Sequence, residues 1–115
     1  MASIADILLK KFPNNEWAVT DNDYSSLFWH ERNTIPKPTE EEIFQYSAEV
    51  DVLVQWDNIR VQRNGLLTQT DWTQLPDSPF STEKKTEWAT YRQQLRDITK
   101  QSVNPEQVVW PSQPI

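Results

Sequence analysis

Residues 39–67 read TEEEIFQYSAEVDVLVQWDNIRVQRNGLL, the longest run of helical pattern in the chain. Thr39 with Glu42 three positions later forms a capping box: the hydroxyl accepts from a first-turn amide while the carboxylate reaches back. Glu40, Glu41 and Glu42 also sit where the helix dipole favours negative charge. A helix is expected from Glu40 to about Leu67. Its apolar face holds Ile43, Tyr46, Val50, Leu53, Val54 and Val61, is broken by Asp57, and is widened by Phe44, Trp56 and Ile59. Such a helix would reach roughly 40 Å, more than a small domain buries along its whole length. Part of it is therefore expected to serve as a stalk, a subunit contact or a hinge. Gly65, the one glycine, costs about 1 kcal/mol inside a helix and marks where it would weaken.

Downstream, Asp71-Trp72-Thr73-Gln74 reads as a short turn, with Asp71 as cap and Gln74 bonding back. Pro76-Asp77-Ser78-Pro79 then makes a rigid bend. Ser81 or Thr82 caps a second helix, Glu83 to about Thr99. Its apolar residues Trp88, Tyr91, Leu95 and Ile98 recur at i, i+3, i+7 and i+10, a narrow stripe suited to one neighbouring helix. The mate is the C-terminal part of the long helix, giving an antiparallel helical hairpin. From Ser102 an extended tail is expected. Pro111 and Pro114 keep its apolar Val108-Val109-Trp110 out of the middle of any sheet. That segment either tucks Trp110 onto the hairpin or offers an edge to a partner's sheet.

Upstream, Ser3 and Asp6 form a second capping box, and Ile4, Ile7 and Leu8 make one stripe of a short helix that Pro13 ends. Glu16–Thr20 and Ser26–His30 have strand character around the turn-forming Asp21-Asn22-Asp23. Trp17 and Val19 then share one face, as do Leu27 and Trp29. A lone hairpin is marginal, so the first helix is expected to cover it; the alternative is a loop-rich acidic segment that orders only on a partner. Asn33–Pro38 is a stiff linker. The fold class is α+β: a small unit at 1–38 made of a short helix and a β-hairpin, and a helical hairpin unit at 39–115.

Composition excludes several function classes. With one glycine, no phosphate-cradling loop of the Walker or dinucleotide type can be built. With no cysteine there is no disulfide, thiolate nucleophile or cysteine-ligated zinc. Residues 1–56 carry four basic and ten acidic side chains, whereas 57–115 carry seven of each. Phosphate-backbone binding needs clustered Lys and Arg, so nucleic acid is not the expected partner. The run Ile7-Leu8-Leu9 is too short for a signal peptide or membrane span, and a cytoplasmic protein is expected. Six tryptophans in 115 residues supply core material and, where exposed, interface anchors. The candidate partner-binding residues are Trp17, Phe28, Trp29, Trp56, Val108, Val109 and Trp110.

No catalytic or metal constellation emerges, and no cofactor is implied. His30 has Asp21, Asp23, Ser25 and Ser26 nearby, but a triad is defined by geometry, and a hairpin-edge histidine beside Trp29 accounts for it. Glu40, Glu41 and Glu42 point about 100° apart and cannot converge on one ion. Asp21-Asn22-Asp23 opens like a calcium loop, yet Ser26 and Arg32 stand where glycine and glutamate are required. A protein that binds another protein is the expectation.

Four stretches together carry a family likeness: Ile59-Arg60-Val61-Gln62-Arg63, Asp71-Trp72-Thr73, Trp88 to Ile98, and Val109-Trp110-Pro111. Their order of Arg-x-x-Arg, Asp-Trp-Thr, Trp-x-x-Tyr-Arg-x-x-Leu-Arg-Asp and Trp-Pro resembles the phage tail assembly chaperone family over about residues 57–114. Gly65 departs from the usual helix former there. The resemblance implies a phage protein acting in the host cytoplasm, whose partner is a tail fibre or other tail protein, with self-association an option. It helps fibres fold, trimerise or attach; the alternative is a virion component retained on the tail as cap, collar or adaptor. A weaker reading is an acidic regulator of a host protein. Within the motif, Asp71, Trp72, Trp88, Tyr91, Leu95, Arg92, Arg96 and Asp97 are expected to be structural: Asp71 capping, the aromatics packing, and Arg92, Arg96 and Asp97 pairing across the hairpin.

Overall fold

The computed structural model describes residues 2–101 and 104–115. Its elements are α1 (Ile4–Lys11), β1 (Trp17–Ala18), β2 (Phe28–Trp29), α2 (Glu40–Phe44), α3 (Ser47–Thr70) and α4 (Thr82–Arg96), with short 3-10 turns between and after them. The fold class is α+β, as expected. The chain forms two compact units, Met1–Val54 and Gln55–Ile115.

In the first unit α1 opens with the predicted capping box: Ser3 Oγ accepts from Asp6 N and Asp6 reaches back to Ser3 N. A further bond reaches its first turn from afar, Ile4 N donating to Asn22 Oδ1 at 2.7 Å. Asn22 does this from a positive φ of 55°, a conformation asparagine tolerates better than most residues. Ile4, Ile7 and Leu8 are buried together with Leu27, Ile43 and Val50. Trp17, Val19 and Trp29 pack half-buried against the same cluster, so α1 covers the hairpin face that needed covering.

The hairpin itself is shorter than its five-residue strand segments suggested. Only Trp17↔Trp29 and Ala18↔Phe28 pair, antiparallel. Asp23 accepts from Ser25 N at 3.0 Å and starts a 3-10 turn at Tyr24–Ser26, which takes Ser26 out of the second strand. Ser26 Oγ then bonds both Thr20 N and Thr20 O, replacing ladder bonds with side-chain ones. The linker is pinned where Tyr24 Oη donates to Pro38 O and Trp29 Nε1 donates to Ile35 O.

The helix start at Glu40 stands, with Thr39 and Glu42 completing the capping box. The expected single helix is nevertheless two pieces. Tyr46 N bonds Ile43 O at 3.2 Å, a tight i−3 turn, and the next α-helical bond runs from Val50 N to Tyr46 O. This break sets the Tyr46 ring edge-on to Phe12 at 6.1 Å, with Lys11 Nζ above it and paired to Glu49 at 2.6 Å. The break thus lies at Gln45–Tyr46 and not at Gly65, through which α3 continues to Thr70.

In the second unit α4 begins at the Ser81 cap, which accepts from Lys84 N. Tyr91, Leu95 and Ile98 are buried, bearing out most of the stripe read from the sequence; Trp88 is half-buried. Arg92 reaches Leu67 and Thr70 while Arg63 reaches the Arg96 carbonyl. That order runs opposite in the two helices, so they form the expected antiparallel hairpin. Of the tail expected from Ser102, Ser102 and Val103 lie outside the described residues. Beyond a 3-10 turn at Pro105–Gln107 the chain is without regular structure to Ile115.

Candidate functional site

The organising side chain of the second unit is Arg92. Its Nη1 donates to Leu67 O and to Thr70 Oγ1, both at 2.7 Å, and its Nη2 donates to Asp71 Oδ1 at 2.7 Å. The fork therefore ties down the end of α3 and the turn after it, where helix carbonyls lack intrahelical partners. Only 12% of the Arg92 side chain is exposed, against 64% for Asp71. The cap reading of Asp71 is corrected here: Thr70 occupies the cap position of the Asp71–Gln74 turn without a side-chain bond. Asp71 faces Arg92 because a charge-assisted bond to a guanidinium outweighs one to a neutral amide. Gln74 likewise does not bond back; its amide donates to Thr73 Oγ1 and to Lys85 O on α4.

Arg96 and Asp97 do not pair across the hairpin either. Arg96 Nε and Nη2 donate to Gln93 Oε1, and Asp97 accepts from Gln93 Nε2 at 3.2 Å and lies 3.3 Å from Lys100. These partners stand three or four residues away on the same helical turn, nearer than anything opposite. The Gln93 amide first, and Lys100 second, hold the Asp97 carboxyl below the usual aspartate range.

An aromatic ladder closes this end of the hairpin. The Trp72 ring lies 5.2 Å from Phe80, Phe80 stacks on Trp88 at 6.2 Å, and Trp88 meets Tyr91 edge-on at 5.7 Å. Phe80 is the member that the sequence reading passed over. Its signal was position: an apolar residue between a Pro bend and a helix cap. Thr73, fully buried with Oγ1 donating to Thr70 O, gave no comparable signal. At the outer rung Trp72 is 47% exposed, and Leu75 beside it is 51% exposed.

The candidate partner-binding residues divide by exposure. Trp17, Trp29, Trp56, Val108 and Trp110 are half-buried, whereas Phe28 and Val109 are exposed. Phe28 stands on the β2 face opposite the core, edge-on to His30. His30 accepts from Arg32 N and lies 3.6 Å from Glu16, a local cluster at the hairpin edge. Val109 is held by one side chain. Gln101 Nε2 donates to Val109 O at 2.8 Å while Gln101 Oε1 accepts from Val109 N at 2.9 Å, as a neighbouring strand would. Among the described residues no helix is long and apolar enough to cross a membrane.

A family model described as phage tail assembly chaperone protein matches residues 56–115. The chain belongs to the phage tail assembly chaperone family. The match spans just over half of the chain and begins one residue inside the compact unit Gln55–Ile115. The chaperone signature is therefore a folded module, in which Arg92 and the aromatic ladder hold the hairpin together. No curated protein and no solved structure matches the chain. Membership of this chaperone family places the protein in phage tail assembly and makes phage tail proteins its partners.

Proposed function

We propose that this protein is a tail fibre assembly chaperone: it binds a fibre protein and covers an apolar fibre surface until folding, trimerisation or attachment is complete. It acts by surface complementarity and catalyses nothing. The carrying observation is the coincidence of the family match with one compact unit. That unit spends its largely covered Arg92 on Leu67, Thr70 and Asp71 of its own hairpin.

Recognition is assigned to apolar groups that the fold leaves outside. Phe28, 58% exposed in the acidic half, is the first of them, since aromatic side chains are the usual anchors of protein interfaces. The test is co-expression with the fibre protein of the same phage, followed by size-exclusion chromatography. Co-elution is expected; separate elution overturns the reading. Phe28→Ala is expected to weaken the complex at least tenfold while shifting stability by no more than about 0.5 kcal/mol, as for an exposed site. Mass spectrometry of purified virions is expected to find the chain absent, and stoichiometric presence would replace the transient role with a structural one.

A further inference from the structure

On α4, Lys84, Glu87, Tyr91 and Gln94 stand at i, i+3, i+7 and i+10, one stripe of the helix. With Thr90 they wall a concavity whose other wall is the chain's own segment 112–115. Residues 108–115 read VVWPSQPI and carry no charged side chain, in a chain where 24% of residues are charged. Pro111 and Pro114 are half-buried, while Ser112 and Gln113 between them are exposed. That alternation fits an extended proline segment, in which residues three apart fall on one side. The segment is tied at both ends. Lys84 Nζ donates to the Ile115 carbonyl at one end, and the Gln101 amide holds Val109 at the other. Both ties are exchangeable: a lysine that also pairs with Glu87 at 3.1 Å, and a side-chain amide in the role of a strand.

We propose that residues 110–115 are a displaceable strap that forms one wall of a peptide groove beside α4, and that an extended, uncharged, proline-bearing segment of a tail protein takes the strap's place there. The strap is the guide to the ligand, because whatever replaces it must satisfy the same helix face. While the strap is docked, its place beside α4 is vacant only in a minor population, and the apparent affinity for a partner falls by that fraction. The chaperone then holds its client weakly enough to release it, and the client segment competes with a tethered copy of its own chemistry. The identity of the client rests on the chaperone reading; the groove and strap do not.

The test uses the full-length chain and a fluorescein-labelled peptide of sequence VVWPSQPI, read by fluorescence anisotropy. Gln101→Ala removes one tie without touching a groove residue. It is expected to bind the peptide about tenfold more tightly than the unaltered chain, the effect of two lost neutral hydrogen bonds on the open fraction. Hydrogen exchange is expected to quicken at Val109, whose amide Gln101 holds, with α4 unchanged. Adding Thr90→Arg, at an exposed groove position, is expected to abolish peptide binding with helix content retained. Equal or absent peptide binding by the two chains, or indifference to Thr90→Arg, overturns the groove. If the peptide results hold and Gln101→Ala fails to strengthen co-elution with the fibre protein, the groove stands and a fibre client is excluded.

Discussion

Arg92 and Asp71, 21 residues apart in the chain, meet at 2.7 Å at the closed end of the helical hairpin. The two partners are unequal. Arg92 is nearly covered and serves three acceptors, whereas Asp71 is mostly in water and serves one donor. Asp71→Ala is therefore expected to lower stability by only about 0.5–1 kcal/mol, the range for exposed ion pairs. Arg92→Ala takes the charged donor from the Leu67 carbonyl and the Thr70 hydroxyl, leaving them only the bonds that Thr70 Oγ1 makes to Leu66 O and Leu67 O, and is expected to cost about 2–3 kcal/mol. Arg92→Lys restores charge without the planar fork and should fall between them. Urea midpoints of the three variants check the order; equal losses for Asp71→Ala and Arg92→Ala would mean that the ion pair, and not the backbone tie, carries the effect.

Asp97 makes stability fall on acidification. Its carboxyl titrates lower in the folded chain than in the unfolded one, through Gln93 and then Lys100. A depressed folded value contributes stability that is complete above about pH 4, the unfolded aspartate value, and is lost as pH falls through the folded one. Asp97→Asn lacks that contribution. The wild-type chain should thus exceed the variant at neutral pH, and the gap should close on acidification. Denaturation of both across about pH 2–7 reads it; a gap that widens in acid refutes the assignment.

What the sequence made legible was whatever one side chain does to its own neighbourhood. Ser3, Thr39 and Ser81 cap helices from two or three residues away, and each was readable. The Tyr91, Leu95 and Ile98 stripe was readable because helical period is local. The break at Tyr46 was not, since it serves a ring contact with Phe12, 34 residues earlier. Asp71 was misread for the same reason: its cap chemistry is local and its actual partner, Arg92, is distant. The hairpin lay between these cases, with its faces given by alternation and its length cut by the Asp23 and Ser26 side chains. Of the interaction surface, composition revealed which aromatic and apolar residues were available, but not that Gln101 would clamp Val109.

Asn22 joins two elements that sequence proximity does not. Its carboxamide oxygen accepts from the first-turn amide of α1, and its backbone sits in the left-handed region. Asn22→Ala loses the bond and strains the backbone, and is expected to destabilise the chain by about 1–2 kcal/mol. Asn22→Gly relieves the strain alone and should recover part of the loss. If glycine proves as harmful as alanine, the bond accounts for the whole effect and the backbone for none.

Gly65 lies inside α3 with open space where a side chain would go and without a positive φ. Gly65→Ala is expected to stabilise the chain by about 0.5–1 kcal/mol, by restricting the unfolded state and favouring helix. Thermal unfolding of the variant checks this. A loss of stability would show that α3 must bend or open at this position, which the continuous helix gives no reason to expect.

Phe80 is the rung that makes Trp72 and Trp88 part of one ladder, although it lies outside the family motif. Removing the ring leaves Trp72 with one aromatic face less and Trp88 without its stacked partner, 6.2 Å away. Phe80→Ala is expected to cost about 2–3 kcal/mol, less than a fully buried phenylalanine because Phe80 is half-buried. Phe80→Leu keeps an apolar, somewhat smaller side chain but not the ring, and should cost about 1–1.5 kcal/mol. Trp72→Ala acts at the outer rung, nearly half of which already faces water, and should cost less than Phe80→Ala. The order Phe80→Ala, Trp72→Ala is therefore the discriminating measurement. If Trp72→Ala is the more damaging, the ladder is anchored at its exposed end and Phe80 is not its central rung.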